Sequence, residues 1–426
     1  MLNAVGVNYT VEVYMKRSLL LLGFALALFA PTANAANFGI KGVNQRMMIV
    51  LRKGVTQAQG EALAKKQGLE ILKYYKGLHM LAVQSKKGRM QTSSMRLMAS
   101  PLVHRVGRDF WANWIEATPA SFQSTPLPSF GSVVKSLPKL NSKIGKNTEI
   151  QWGVKAVNAA GAWGKTKGRG IKVAVVDTGI DPTHPELAAR VKGGYNAVEK
   201  DKPWKDDHSH GTHVAGIIAA TLDGAGVVGV APEADLYAVK VLKADGSGSL
   251  FGIIDGISWC VKNGMQVVNM SLGAAQGNFL FEMAVNQLKS ADIPLIAAAG
   301  NDGKEVNFPA RYDAAIAISA MCPPGGDENP KLCNGSAIAA FSSRGPEVEF
   351  IAPGVKIPST VINGEIKAFS GTSMASPHAA GLAVLAVANG AKGVAGVRAA
   401  LKAAAVKLPG LSGSEQGSGL IDAGRL

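Results

Sequence analysis

Five short, almost wholly apolar runs, Val173–Val176, Leu236–Val241, Val267–Met270, Pro294–Ala299 and Ala314–Ala320, are separated by stretches of small residues with helical spacing. A strand with one wet face alternates apolar and polar residues, whereas a strand that is apolar throughout needs cover on both faces. Cover on both faces, with a helix-length segment between successive strands, describes a parallel sheet joined by crossover helices. The chain from Gln151 onward is therefore read as α/β, with a mostly parallel sheet between helix layers. In such folds the chemistry gathers outside the carboxyl ends of the strands.

Two polar residues, Asp177 and Asn301, directly follow such runs, and each belongs to a glycine-marked motif. In chain order the motifs are Asp177-Thr-Gly-Ile-Asp181, Ser209-His210-Gly-Thr-His213, Ala297-Ala-Ala-Gly300-Asn301 and Gly371-Thr-Ser373-Met-Ala-Ser-Pro377. A serine hydroxyl is a poor nucleophile at neutral pH. It needs an imidazole base, and the base needs a carboxylate to hold its tautomer and stabilise the imidazolium. Asp177, His210 and Ser373 supply one group for each role. Their order, with Gly and Thr beside both the His and the Ser, resembles the subtilisin-like serine proteases (peptidase S8 family).

The resemblance covers about 275 residues and implies a three-layer subtilisin-like fold and a serine endopeptidase working through an acyl-enzyme. It aligns the base on His210, makes His213 structural, and leaves His184 and His208 as neighbours expected on solvated loops. Ser373 is expected at the N-terminus of a helix over Met374–Ala388, whose unpaired amides supply half of an oxyanion hole, and Asn301 is expected to supply the other half. Gly246, Gly248, Leu272 and Gly273 match two strands that sandwich an extended peptide through its backbone. Leu250, Ile253 and Leu272 are expected to line an apolar subsite, and Gly273 and Gly300 to wall the primary pocket, with Asn307 at its floor. Ser370 departs from the family, which commonly has Asn there. The loop Thr221–Val227, with Asp223, matches a family calcium loop that offers carbonyl oxygens, and Glu186 stands where the partner carboxylate is usually Asp. A structural calcium is expected from this; the chemistry itself requires no cofactor.

The formal charge of +15 would ordinarily point to nucleic acid or an anionic surface. Its distribution argues otherwise: residues 36–143 hold 17 Lys and Arg against 4 Asp and Glu, whereas residues 144–426 are close to neutral. Lys16 and Arg17, the apolar stretch Leu19–Ala30 and Ala33-Asn-Ala35 form an export signal, so residues 1–35 read as a cleaved leader, with Met15 an alternative start. A secreted or periplasmic product without a retained membrane anchor follows. Residues 36–112 show a strand-helix-strand-strand-helix-strand pattern and resemble the family's inhibitory propeptide; residues 113–147, rich in Pro and Ser, read as a linker containing the maturation cut. The catalytic domain would then span 148–426. Cys322 and Cys333 bracket a Pro- and Gly-rich loop suited to a disulfide, and Cys260 reads as a buried free thiol. The expected partners are protein or peptide substrates and the chain's own propeptide, with the enzyme a monomer. The alternative is an inactive relative that serves as a binding module, or a basic surface-binding protein whose working part is the N-terminal region.

Overall fold

The computed structural model describes residues 40–86, 89–115 and 150–426. The expected leader, 1–35, and most of the expected linker, 116–147, lie outside the described residues.

The N-terminal region is a four-stranded antiparallel sheet with two helices: β1 (Ile40–Leu51), α1 (Gln57–Lys66), β2 (Glu70–Tyr75), β3 (Met80–Gln84), α2 (Met90–Met98) and β4 (Val103–Asn113). Thr56 starts α1 with a capping box, its side chain and that of Gln59 each serving the other's backbone N–H. The unbroken run Met47–Leu51 is explained by two buried faces. Met47, Ile49 and Leu51 pack with Leu81, Val83 and Leu97 in this region's own core, while Met48 and Val50 join Met80, Ala82 and Phe110 against the larger domain. Period-two alternation thus serves two cores at once.

The larger domain contains α3 (Trp152–Ala156), α4 (Ala159–Ala162), β5 (Lys172–Asp177), β6 (Val191–Asn196), α5 (His210–Ala219), β7 (Asp235–Lys240), β8 (Ser247–Ser249), α6 (Leu250–Lys262), β9 (Val267–Met270), α7 (Phe279–Ser290), β10 (Leu295–Ala298), β11 (Ala315–Met321) and β12 (Val348–Pro353). A hairpin, β13 (Ile357–Val361) and β14 (Glu365–Phe369), leads into α8 (Thr372–Ala388) and α9 (Gly393–Ala404). The chain closes with β15 (Ala405–Val406), α10 (Gly413–Gln416) and β16 (Leu420–Ile421). The main sheet has the order β15-β16-β12-β11-β10-β9-β5-β7-β6, parallel except for β15. All five apolar runs became strands of this sheet. β6, which reads Val-Lys-Gly-Gly-Tyr-Asn, carried no apolar run because it is the edge strand and only half buried.

One face of the sheet is covered by α5 and α8, the other by α6 and α7. Nearly every residue of α8 is buried, as befits a central helix that is apolar on all sides. The chain leaving β5 goes on to β6 on one side and the chain leaving its neighbour β9 goes on to β10 on the other, so the strand order reverses there and a crevice opens beyond their carboxyl ends. Cys322 and Cys333 are joined in a disulfide, and Cys260 is a buried free thiol whose pKa burial pushes well up.

Candidate active site

Asp177 is the last residue of β5 and is wholly buried. His210 opens α5, and its Nδ1 lies 2.8 Å from Asp177 Oδ1 and 3.0 Å from Oδ2. The glycine after the histidine has a steric reason. A Cβ on Gly211 would come within 2.1 Å of the Gly179 carbonyl and 3.2 Å of Asp177 Oδ1, so only glycine lets the helix meet the carboxylate loop so closely. The Gly211 amide donates to Thr178 Oγ1, and Thr212 donates from both its amide and its hydroxyl to Asp206, which locks the first turn of α5. Burial disfavours the charged imidazole of His210, but the adjacent Asp177 carboxylate outweighs burial and raises its pKa above the ordinary value.

Ser373 lies in the first turn of α8, which begins at Thr372, two residues earlier than the sequence suggested. Pro377 has no N–H to offer the Ser373 carbonyl four residues back. The Ser271 hydroxyl takes that place, donating to it at 2.9 Å and tying the end of β9 to the nucleophile's turn. The Ser373 hydroxyl itself donates to the Ser271 carbonyl at 3.1 Å. Asn301 Oδ1 accepts from the Thr372 amide at 2.8 Å and from the Thr372 hydroxyl at 2.9 Å. With its oxygen so engaged, the amide nitrogen is the donor end, and it faces the Gly371–Ser373 turn.

Of the two histidines expected on solvated loops, one is fully buried and the other only partly exposed. His184 is buried, with Nε2 3.0 Å from the Glu365 carbonyl and Nδ1 accepting from the Glu186 amide, and His208 is half-buried with its pKa lowered by burial and by His210. His213 stacks on Phe369 at 4.3 Å between the Ile357 and Lys367 carbonyls, and burial lowers its pKa to about 3.

The residues expected to bind a peptide frame a groove that β4 and Trp114 occupy. β4 pairs antiparallel with β8, with Ala112 opposite Gly248 and Asn113 opposite Ser247. Beyond the strand, the Trp114 amide donates to the Gly246 carbonyl at 3.1 Å, and the Gly273 amide donates to the Trp114 carbonyl at 2.9 Å. The Trp114 indole is fully buried among Leu250, Ile253 and Leu272, and its N–H donates to the Gly248 carbonyl at 2.9 Å. Residues 113–115, read from sequence as the start of the linker, therefore continue the N-terminal strand into the groove. Their lack of periodicity had hidden this, because a single strand held between two others needs no repeating pattern. Gly273, Gly300 and Asn307 come together: a Cβ on Gly300, whose φ is +116°, would lie 2.5 Å from Asn307 Nδ2.

Glu186 and Asp223 face each other across the loop Thr221–Val227. Glu186 Oε2 is buried without a hydrogen-bond partner, and burial together with the charge of Asp223 raises its pKa to about 7. Two carboxylates close together, one with a buried unpartnered oxygen, beside a loop rich in backbone carbonyls are a donor set of the hard-oxygen kind that calcium takes. A Cβ on Gly226 would meet Glu186 Oε1 at 2.0 Å, so glycine there lets the carboxylate reach the loop backbone. The residues present fit calcium.

A buried Asp–His pair at the carboxyl end of β5 and a serine in the first turn of the central helix of a three-layer α/β fold match a subtilisin-like serine protease architecture. The Subtilase family profile matches residues 168–419, and the chain belongs to that family. Among curated relatives it is 44% identical over 254 residues to a thermostable alkaline protease of Halalkalibacterium halodurans, which is 59% of this chain and 66% of that protein. It is 45% identical to the minor extracellular protease Epr and 46% identical to subtilisin E, both of Bacillus subtilis. Those two matches span 55% and 51% of this chain and 35% and 55% of the relatives' lengths.

Proposed function

We propose that the chain is a secreted or periplasmic serine endopeptidase made as a zymogen that cuts itself. The observation that carries the reading is the buried Asp177–His210 contact, on a helix that shares a core with α8 and its Ser373, with the Asn301 amide nitrogen near the Gly371–Ser373 turn. His210 Nε2 takes the Ser373 proton as Oγ attacks the substrate carbonyl carbon. The resulting oxyanion is held by the Ser373 amide and Asn301 Nδ2, donors that matter most once negative charge has developed. His210 then protonates the leaving amine, and water repeats the sequence on the acyl-enzyme.

The substrate is a protein or peptide in extended form, bound by the backbone of Gly246, Gly248 and Gly273 and by an apolar subsite that Trp114 fills in the intact chain. The N-terminal domain is the intramolecular inhibitor, because its last strand and Trp114 occupy the groove a substrate needs. Calcium, when bound, would be held by Glu186, Asp223 and carbonyl oxygens of Thr221–Val227, and it would tie the loop after α5 to the segment after β5. The test is the full chain beside Ser373→Ala, followed by intact mass, new N-terminus and casein hydrolysis. Maturation and hydrolysis by the parent alone support the reading. Equal behaviour of the two chains removes it and favours an inactive binding module.

A further inference from the structure

β2 is an edge strand, paired only with β3. Its residues Lys73 and Tyr75, two apart and so on one side of the strand, converge on a residue 180 positions away in the other domain. The Tyr75 hydroxyl donates to Asp255 Oδ1 at 2.9 Å, and the Lys73 ammonium pairs with the same oxygen. The Tyr195 hydroxyl donates to Oδ2 at 2.5 Å, and the Lys200 ammonium lies 3.8 Å from it. Asp255 has no solvent exposure and stands on the otherwise apolar stretch Leu250–Ile257 of α6. A carboxylate so placed is costly unless fully partnered. Half of its partners belong to the N-terminal domain.

The rest of this contact is the backbone pairing of β4 with β8, a hydrogen bond from the Phe251 amide to the buried Asp109 Oδ1 at 2.9 Å, and ring and apolar packing. Arg46 lies over the Phe251 ring at 4.6 Å and Arg105 over Phe279 at 3.9 Å, while Met48, Val50 and Met80 pack as apolar surface. Apolar packing and ring contacts tolerate many surfaces, whereas a buried carboxylate rejects any surface that brings it no cation or hydroxyl.

We propose that Asp255 is the charged latch by which the catalytic domain recognises its own N-terminal domain and retains it after the connecting chain is cut, the matching surface being a lysine and a tyrosine two residues apart on an edge strand. This rests on the reading of residues 36–115 as a self-removed inhibitor. Truncating one partner of a buried, hydrogen-bonded charge pair at an interface speeds dissociation by at least about 30-fold.

The full chain and its Asp255→Asn, Lys73→Met and Tyr75→Phe variants are allowed to self-cleave. Co-elution of the two fragments on gel filtration and the lag before peptide hydrolysis are then recorded. Asp255→Asn and Lys73→Met are expected to release the fragment and shorten the lag at least about 30-fold, and Tyr75→Phe to do so a few-fold. The final peptidase rate should not change. Equal retention in all four chains overturns the latch. If Asp255→Asn fails to fold, Lys73→Met, whose side chain is 38% exposed, carries the same test. If the parent never cuts itself, the inhibitor reading fails instead, and the latch is read by urea unfolding of the Lys73→Met, Asp255→Asn and double variants in the uncut Ser373→Ala chain. A double variant no less stable than the worse single variant supports the contact, and additive losses overturn it.

Discussion

Replacing Asn301 by Leu keeps the size of the side chain and removes its amide. In the proposed mechanism two donors meet the developing oxyanion, the Ser373 amide and Asn301 Nδ2, and the second is oriented because Thr372 holds Asn301 Oδ1 through two hydrogen bonds of 2.8 and 2.9 Å. Removing one such donor costs about 2.7–4 kcal/mol of transition-state stabilisation, a 100- to 1000-fold loss in turnover; the figure was measured on subtilisin and is carried over here. The ground-state carbonyl gains little from the donor, so KM should stay within about threefold of the parent. Thr372→Val keeps the amide bond to Oδ1 but removes the hydroxyl bond and the acceptor of the Gly300 amide, so a milder fall of about tenfold is expected. The assay is kcat and KM on a chromogenic peptide, with each variant matured by a tagged parent that is then removed. An Asn301→Leu enzyme within tenfold of the parent in kcat would falsify the assignment. So would a loss confined to KM.

Asp177→Asn should lower turnover about 10⁴-fold by favouring the wrong imidazole tautomer. Because Asp177 raises the pKa of His210, the acid limb of the parent's kcat/KM profile should lie above histidine's ordinary value and move down in the variant. Glu186, at about 7 when folded against 4.5 as its ordinary value, holds a proton that the unfolded chain releases. Without calcium its contribution to stability is therefore full below pH 4.5 and lost as pH rises through 7. Calcium should accordingly raise Tm more at pH 8 than at pH 5, and Glu186→Gln should blunt the gain; an equal gain at both pH values would count against the site. The disulfide Cys322–Cys333 closes a 12-residue loop, so the Cys322→Ser/Cys333→Ser pair should lose about 2–3 kcal/mol in urea unfolding, and a loss near zero would contradict the loop-entropy account.

The sheet and the motifs that carry the proposed triad were legible in the sequence for local reasons. A strand buried on both faces must be apolar at every position, so the runs at Val173, Leu236, Val267, Leu295 and Ala315 announced themselves. The turns that present Asp177, His210 and Ser373 each need glycine or threonine at one spacing, because helix and loop approach within contact of the reacting groups, and such requirements are written within a few residues. Three matters were settled only by packing: the reach of the N-terminal strand through Trp114 into the groove, the burial of His184, and the convergence of Lys73 and Tyr75 on Asp255. Each depends on groups 134 to 182 residues apart, whose meeting is set by how two preformed faces fit, and no local pattern encodes a partner that far along the chain.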